Sequence, residues 1–244
     1  MDGVTTQPSL TERRKAATQL DIARAAAELF AERGPDGTTA EEISGRAGIA
    51  LRTFYRYFRN KEDAVSPLLS AGGARWRALV ATEAAAVSEA AENAAAATGA
   101  AEAGAAENGA AEAGAAGAGL REALVRAARA SLTAQTEGWS LGHGWAAAEG
   151  TRGLLRAAAD DAALRAVWYR VNQESEEQLT AVLASLPSLA GREELELRMI
   201  AAGATDAIRL ALESWAASDA PVDDATAGPA TLVEDCLRKL LHWL

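Results

Sequence analysis

Between Ile43 and Lys61 the chain carries Arg46, Arg52, Arg56, Arg59 and Lys61 and no acid, although its formal net charge is -10. Cations interleaved with Thr53, Tyr55 and Tyr57 can neutralise phosphates and donate to base edges, which is the chemistry of a nucleic-acid contact. Residues 1 to 63 hold ten Lys and Arg against ten Asp and Glu, whereas residues 64 to 244 hold fourteen against twenty-four. The whole acidic excess therefore lies downstream, and the bulk pI of 4.8 hides the local balance. An acidic body would be repelled by a polyanion, so the cationic segment must be what faces it.

Other chemistries find little support. His143 and His242 are the only histidines, Cys236 is the only cysteine, and no phosphate loop, dinucleotide fingerprint or metal-ligand spacing occurs. No enzymatic activity, catalytic residue, metal or cofactor is expected. Acidic pairs such as Asp160-Asp161 and Glu176-Glu177 read as solvated helix faces. A lone cysteine forms no internal disulfide. No apolar run approaches the roughly 20 residues that cross a bilayer, and Met1 to Lys15 lacks the apolar core of a leader, so a cytoplasmic protein is expected. With 49% hydrophobic residues the chain can bury a core.

The elements that must position the cations are helical. Residues 1–8 read as a disordered tail. Ser9-Leu10-Thr11-Glu12 has capping-box spacing, and Ile22, Ala26, Leu29 and Phe30 then share one face until Gly34-Pro35-Asp36-Gly37 ends the helix. Thr39-Ala40-Glu41-Glu42 opens a short second helix, with Ile43 and Ala47 inward, that Gly48 stops. A third runs from about Leu51 to Phe58, and Asn60 to Asp63 cap a fourth. Two short helices joined by a glycine turn, the second one basic, form a helix-turn-helix pattern.

The stretch Ile22 to Asp63, with Leu29-Phe30, Gly34, Thr39, Glu42-Ile43, Ala47-Gly48-Ile49 and the run Thr53 to Glu62, closely resembles the DNA-binding domain of TetR-family bacterial transcriptional regulators. The resemblance spans about a quarter of the chain. It implies an all-α homodimer with an N-terminal three-helix reader (residues 9–63) and a larger C-terminal ligand-binding and dimerisation domain (64–244). It also implies a repressor that binds double-stranded DNA at an inverted-repeat operator and is released by a small effector.

Two departures stand out. Ala50 occupies the position where such recognition helices usually begin with serine, and the missing cap is worth about 1 kcal/mol. Pro67 falls well inside the expected linking helix, where it deletes a backbone bond and clashes with the carbonyl of Asp63. With Gly72-Gly73 beyond, a kink or break is expected between Asp63 and Gly73, either a hinge or a local bend.

Gly99, Gly104, Gly109, Gly114 and Gly119 recur every five residues in an Ala- and Glu-rich stretch. Each glycine weakens a helix by about 1 kcal/mol, so residues 93–118 read as a flexible insertion. Helical patterning then resumes. Ile200, Ala204, Ala207, Ile208, Ala211, Leu212 and Trp215 form one stripe, and Val233, Cys236, Leu237, Leu240 and Leu244 another. The stripes alone fit either intrachain core or an interface; the family resemblance favours a dimer interface made by these two C-terminal helices.

On the third helix Leu51, Phe54 and Phe58 turn inward, Tyr55 sits at the border, and Arg52, Thr53, Arg56 and Tyr57 point away. Arg52 is the candidate base reader, because guanidinium can donate twice to guanine. Thr39 is placed to offer its amide and hydroxyl to phosphate, and Arg46, Arg56 and the cluster Arg13-Arg14-Lys15 are further phosphate candidates. The resemblance implies that Thr53 and Tyr55 meet DNA and that Tyr57 and Lys61 bind phosphate. On that basis Lys61→Ala is expected to lower the salt slope of binding by about one.

In the larger domain Trp139, His143, Trp145, Trp168, Tyr169 and Asn172 are the candidate ligand contacts, with Arg152, Arg156, Arg165 and Arg170 near them in sequence. Trp145, Trp168 and Trp215 also read individually as core, and His143 as a loop residue. Ala201 to Asp219 resembles the C-terminal domain of a regulator subset associated with fatty acyl-CoA-like ligands, which makes a hydrophobic or amphipathic small molecule the expected effector. The alternative is a helical small-molecule-binding or interaction protein, which would leave the cationic third helix unexplained.

Overall fold

The computed structural model describes residues 9–98, 107–138 and 147–244. Among these, all regular structure is helical: α1 (Leu10–Arg33), α2 (Ala40–Arg46), α3 (Leu51–Tyr57), α4 (Ser66–Thr98), α5 (Glu107–Gly138), α6 (Ala147–Asp160), α7 (Ala162–Ala184), α8 (Glu194–Ala217) and α9 (Pro229–Leu240). Single 3-10 turns precede α4 (Glu62–Val65) and α8 (Pro187–Leu189). The protein is all-α, as its periodicities require. The chain divides into two compact units, residues 1–71 with 157–169, and residues 72–156 with 170–244.

In the first unit both expected capping boxes form. The Ser9 hydroxyl accepts from the Glu12 amide at 3.2 Å while Glu12 accepts from the Ser9 amide at 2.7 Å. Ile22, Leu29, Phe30, Ile43, Phe54 and Phe58 supply the buried apolar groups. Ala64 and Val65 are fully buried in the 3-10 turn, which packs on α1, so this unit extends past the expected boundary at residue 63.

Pro67 does not interrupt a helix. It is the second residue of α4, in a first turn that needs no proline N–H, and the Asp63 carbonyl accepts instead from the Ser66 amide in the 3-10 turn. The change of geometry thus falls at Val65–Ser66, and α4 continues helical through Gly72-Gly73. This corrects the expected clash at Asp63.

In the second unit α4, α5, α7, α8 and α9 close on one core containing Trp76, Val80, Leu124, Leu179, Leu183, Ile200, Val233 and Leu237. α9 packs on both α5 and α8. The stripe Ile200, Ala204, Ala207, Ala211 and Trp215 is buried within the chain, as are Val233 and Leu237. The two stripes therefore act chiefly as intrachain core, which corrects their reading as the dimer surface: apolar periodicity reports burial without saying what does the burying. Of the expected insertion at 93–118, residues 93–98 close α4 and 107–118 open α5, where alanine's helix propensity outweighs the spaced glycines. The remainder of it, like the tail 1–8, lies outside the described residues.

Candidate nucleic-acid interface

The frame of the helix-turn-helix is set by short polar contacts. Gly34 takes φ +74° after α1 and Gly48 takes φ +67° between α2 and α3, conformations that a Cβ disfavours. The buried Thr38 hydroxyl donates to the Gly34 carbonyl at 2.9 Å, and Thr38 N–H to the Pro35 carbonyl at 3.1 Å, closing the turn. Ile49 N–H donates to the Ser44 carbonyl at 2.9 Å, closing the next.

On α3 the inward side is as expected: Phe54 is fully buried, Phe58 nearly so, and Leu51 half-buried. The Phe54 and Phe58 rings lie 5.7 Å apart, and Tyr55 meets the Phe54 edge at 5.3 Å. Tyr55, at the expected border, is 55% exposed and belongs to the outward face. Arg52 and Arg56 are exposed and Thr53 is half-buried. Tyr57 is half-buried, with the Arg56 guanidinium 5.0 Å from its ring centre and an Arg56 N–H reaching its hydroxyl at 3.4 Å. Arg52, Thr53, Tyr55 and Arg56 are thus brought onto one solvent-facing helix, and Arg52 makes no hydrogen bond or ion pair with another described residue.

The remaining cations divide by partner. Arg46 forms a two-pronged pair with Glu32 at 2.9 and 3.0 Å and reaches Glu28 at 3.3 Å, both on α1. Those bonds raise the guanidinium pKa and lower that of Glu32. Lys61 is spent on the frame: Nζ donates to the Pro35 carbonyl at 2.6 Å and the Thr38 carbonyl at 3.0 Å, and lies 3.7 Å from the Glu62 carboxylate. Arg59, exposed and unpaired among the described residues, joins Arg52 and Arg56 as uncompensated charge. The run of five cations in sequence is thereby reduced to three guanidiniums, on or just after α3, that no carboxylate of the described residues pairs.

Thr39 is likewise engaged. Its amide donates to Glu42 at 2.8 Å, its hydroxyl donates to the same oxygen at 3.0 Å, and the hydroxyl accepts from the Glu42 amide at 3.2 Å. The Thr39 amide, then its hydroxyl, then Arg33 at 2.8 Å hold the Glu42 carboxyl below its usual range. Both Thr39 groups expected at phosphate are therefore occupied within the capping box. Arg13, Arg14 and Lys15 are exposed in the first turns of α1.

Of the expected ligand contacts, Trp139, His143 and Trp145 lie outside the described residues. On α7, Trp168 is buried, Asn172 half-buried and Tyr169 50% exposed. The neighbouring arginines serve helix ends. Arg156 donates to the Ala216 and Ser218 carbonyls at 2.6 and 2.7 Å, and Arg152, stacked 4.3 Å over the Trp215 ring, donates to the Ala220 carbonyl. Arg165 donates to the Ala159 carbonyl at 2.8 Å at the end of α6, and Arg170 pairs with Glu174 at 2.9 Å. Cations at C-terminal carbonyls answer the negative end of the helix dipole. Among the described residues no cluster of His, Cys, Asp and Glu could hold a metal ion, and no helix is long and apolar enough to cross a membrane.

Residues 22–65, spanning this frame, match the family model of bacterial regulatory proteins of the tetR family. Over these residues the chain is similar to the DNA-binding domain of TetR-family transcriptional regulators. It is 35% identical over 88 residues to the helix-turn-helix transcriptional repressor Rv3405c of Mycobacterium tuberculosis, covering 34% of this chain and 46% of that protein. It is 37% identical over 62 residues to the transcriptional regulator TcmR of Streptomyces glaucescens, covering 25% of this chain and 27% of that protein. The match thus spans less than half the length of these relatives. A TetR-family regulator from Mesorhizobium loti aligns in structure over 94% of this chain and 98% of its own, at 16% identity and a TM-score of 0.48. The TetR resemblance read from the sequence is met by the family match, on the same residues that build the frame above.

Proposed function

We propose that this chain is a repressor that inserts α3 into the major groove of an inverted-repeat operator as a homodimer. The observation that carries this reading is the outward face of α3, where Arg52 stands exposed and unpaired among the described residues beside Thr53, Tyr55 and Arg56. Acids within the first unit neutralise Arg46, so the net positive field is left at the recognition helix. Arg52 reads a guanine edge, Thr53 and Tyr55 contact the groove, and Arg56, Tyr57 and Arg59 meet phosphate. Lys61 and Thr39 act by holding the frame.

A surface for the second copy lies opposite the buried stripe of α8. Leu195, Met199 and Leu210 are 64%, 52% and 42% exposed on that face, and Leu240 and Trp243 are 40% and 42% exposed at the end of the chain. Large apolar groups of this kind gathered on one helix face suit a self-complementary contact. A small hydrophobic or amphipathic effector, bound by the larger domain, releases the operator by favouring a different dimer state.

The test is selection of bound duplexes from a random pool with the full chain. Recovery of an inverted repeat supports the reading, and failure to retain any duplex at low salt overturns it.

A further inference from the structure

Gly73, Trp76 and Arg77 fall at i, i+3 and i+4 on α4 and so share one face. That face meets α7: Arg77 Nη1 donates to the Ser175 hydroxyl at 3.0 Å. A Cβ on Gly73 would stand 3.0 Å from Arg77 Nη1 and 3.1 Å from Ser175 Oγ, so the missing side chain lets this polar pair pack directly against the α4 backbone. All four residues lie in the second compact unit.

The hydrogen-bonding groups on this face are unbalanced. Arg77 is half-buried, its only described partner is Ser175, and no carboxylate of the described residues comes within ion-pair distance. Ser175 accepts the Arg77 bond, and its own proton has no acceptor among the described residues. Trp76 is 2% exposed and its indole N–H has no acceptor either. Every unsatisfied group is a donor. Burial pushes the Arg77 guanidinium below its ordinary pKa, and no carboxylate offsets that loss of hydration. A half-buried guanidinium without a counter-charge is costly, and a bound anion would supply both the charge and the acceptors.

We propose that the α4–α7 seam at Arg77 and Ser175 binds the carboxylate or phosphate group of a small amphipathic ligand. The amphipathic tail rests on the effector reading above; the anion site rests on the donor excess alone. The planar fork of Arg77 gives two parallel bonds to either oxyanion, and the Ser175 proton a third.

The test titrates the full chain calorimetrically with decanoate, decyl phosphate and decanol. At least one anion is expected to bind tenfold or more tightly than the alcohol, and the better of the two anions identifies the headgroup. Arg77→Gln should erase the preference and bring the three ligands within about twofold. Gly73→Ala, whose methyl would displace the Arg77–Ser175 pair while leaving the charge in place, should weaken the anions by about tenfold and provides the check if Arg77→Gln fails to fold. Anions binding no tighter than decanol, or a preference that survives in both variants, overturns the seam. The same ligands are then added to the DNA complex. Anion binding without release overturns the effector reading and leaves the seam standing, whereas equal release by decanol keeps that reading and removes the seam.

Discussion

The Lys61 ammonium, just beyond the recognition helix, donates to the carbonyl of Pro35 at 2.6 Å in the turn that precedes α2. It donates a second bond to the Thr38 carbonyl at 3.0 Å and lies 3.7 Å from the Glu62 carboxylate, within ion-pair distance. The clamp ties the two ends of the reader together, so the angle at which α3 meets a groove depends on it. Lys61→Met is expected to lower the unfolding free energy by about 1.5 to 3 kcal/mol, the range for hydrogen bonds to a charged group. The salt slope of DNA binding should stay unchanged. Urea melts and binding isotherms at several salt concentrations test this: a slope reduced by about one with unaltered stability would place the ammonium on phosphate instead.

Arg52 has the opposite circumstances, exposed and without a described partner, so its removal leaves nothing unsatisfied in the free protein. Arg52→Ala should leave the melting temperature in place, weaken operator binding by about 1 to 3 kcal/mol and relax preference at one base pair. Arg56→Ala should weaken operator and random duplex alike and reduce the salt slope by about one. Equal losses on both duplexes for Arg52→Ala would remove it as the base reader.

Acid should loosen the reader through Glu42. Its folded-state pKa lies below the ordinary value, held there first by the Thr39 amide. A depressed carboxylate contributes stability that is present above its unfolded pKa of about 4.3 and is lost as pH falls through the folded value. Glu12 and Glu32 are shifted the same way, by Ser9 and Arg46. Glu42→Gln should therefore melt below the parent at pH 7 and approach it near pH 3, giving a flatter profile. Parallel curves for the two proteins would exclude a linked role for this carboxylate.

Features whose causes are local were legible in the sequence. The boxes at Ser9 and Thr39 join residues three apart, and the inward Phe54 and Phe58 follow from helical spacing. What escaped depends on distant partners: Arg46 meets Glu32 across 14 positions and Lys61 meets Pro35 across 26, and no short-range pattern announces either. A cation run therefore reads alike in sequence whether its members face solvent or a carbonyl. The α8 stripe was visible too, but only packing shows that α9 covers it. Pro67 misled because the start of α4 could not be placed to within one turn, and one turn decides whether proline is tolerated.

The two turns of the reader should respond differently to a methyl group. Gly48 has φ +67° with open space around it, so Gly48→Ala meets only backbone strain and should cost about 1 kcal/mol. At Gly37 a Cβ would lie 2.5 Å from the Arg33 carbonyl oxygen, closer than real contacts allow. That oxygen belongs to the last turn of α1, so relief requires moving the helix end. Gly37→Ala should cost more than Gly48→Ala in the same denaturant titration; the reverse order would mean that the turn at residues 34–37 yields easily.

Ala50 begins α3 with φ −73° and ψ 145°, the extended conformation of an N-cap, yet has no side chain to bond the first-turn amides. The backbone is already arranged for a cap, so a hydroxyl there needs no rearrangement to accept from the amide of Arg52 or Thr53. Ala50→Ser should stabilise the full chain by about 1 kcal/mol. The gain belongs to the free protein as well as the bound one, so affinity for DNA should change little while the urea midpoint rises. An unchanged midpoint would mean that those amides are already satisfied, for instance by the 2.8 Å bond from Thr53 N–H to the Ala50 carbonyl, and that the recognition helix loses nothing by lacking a side-chain cap.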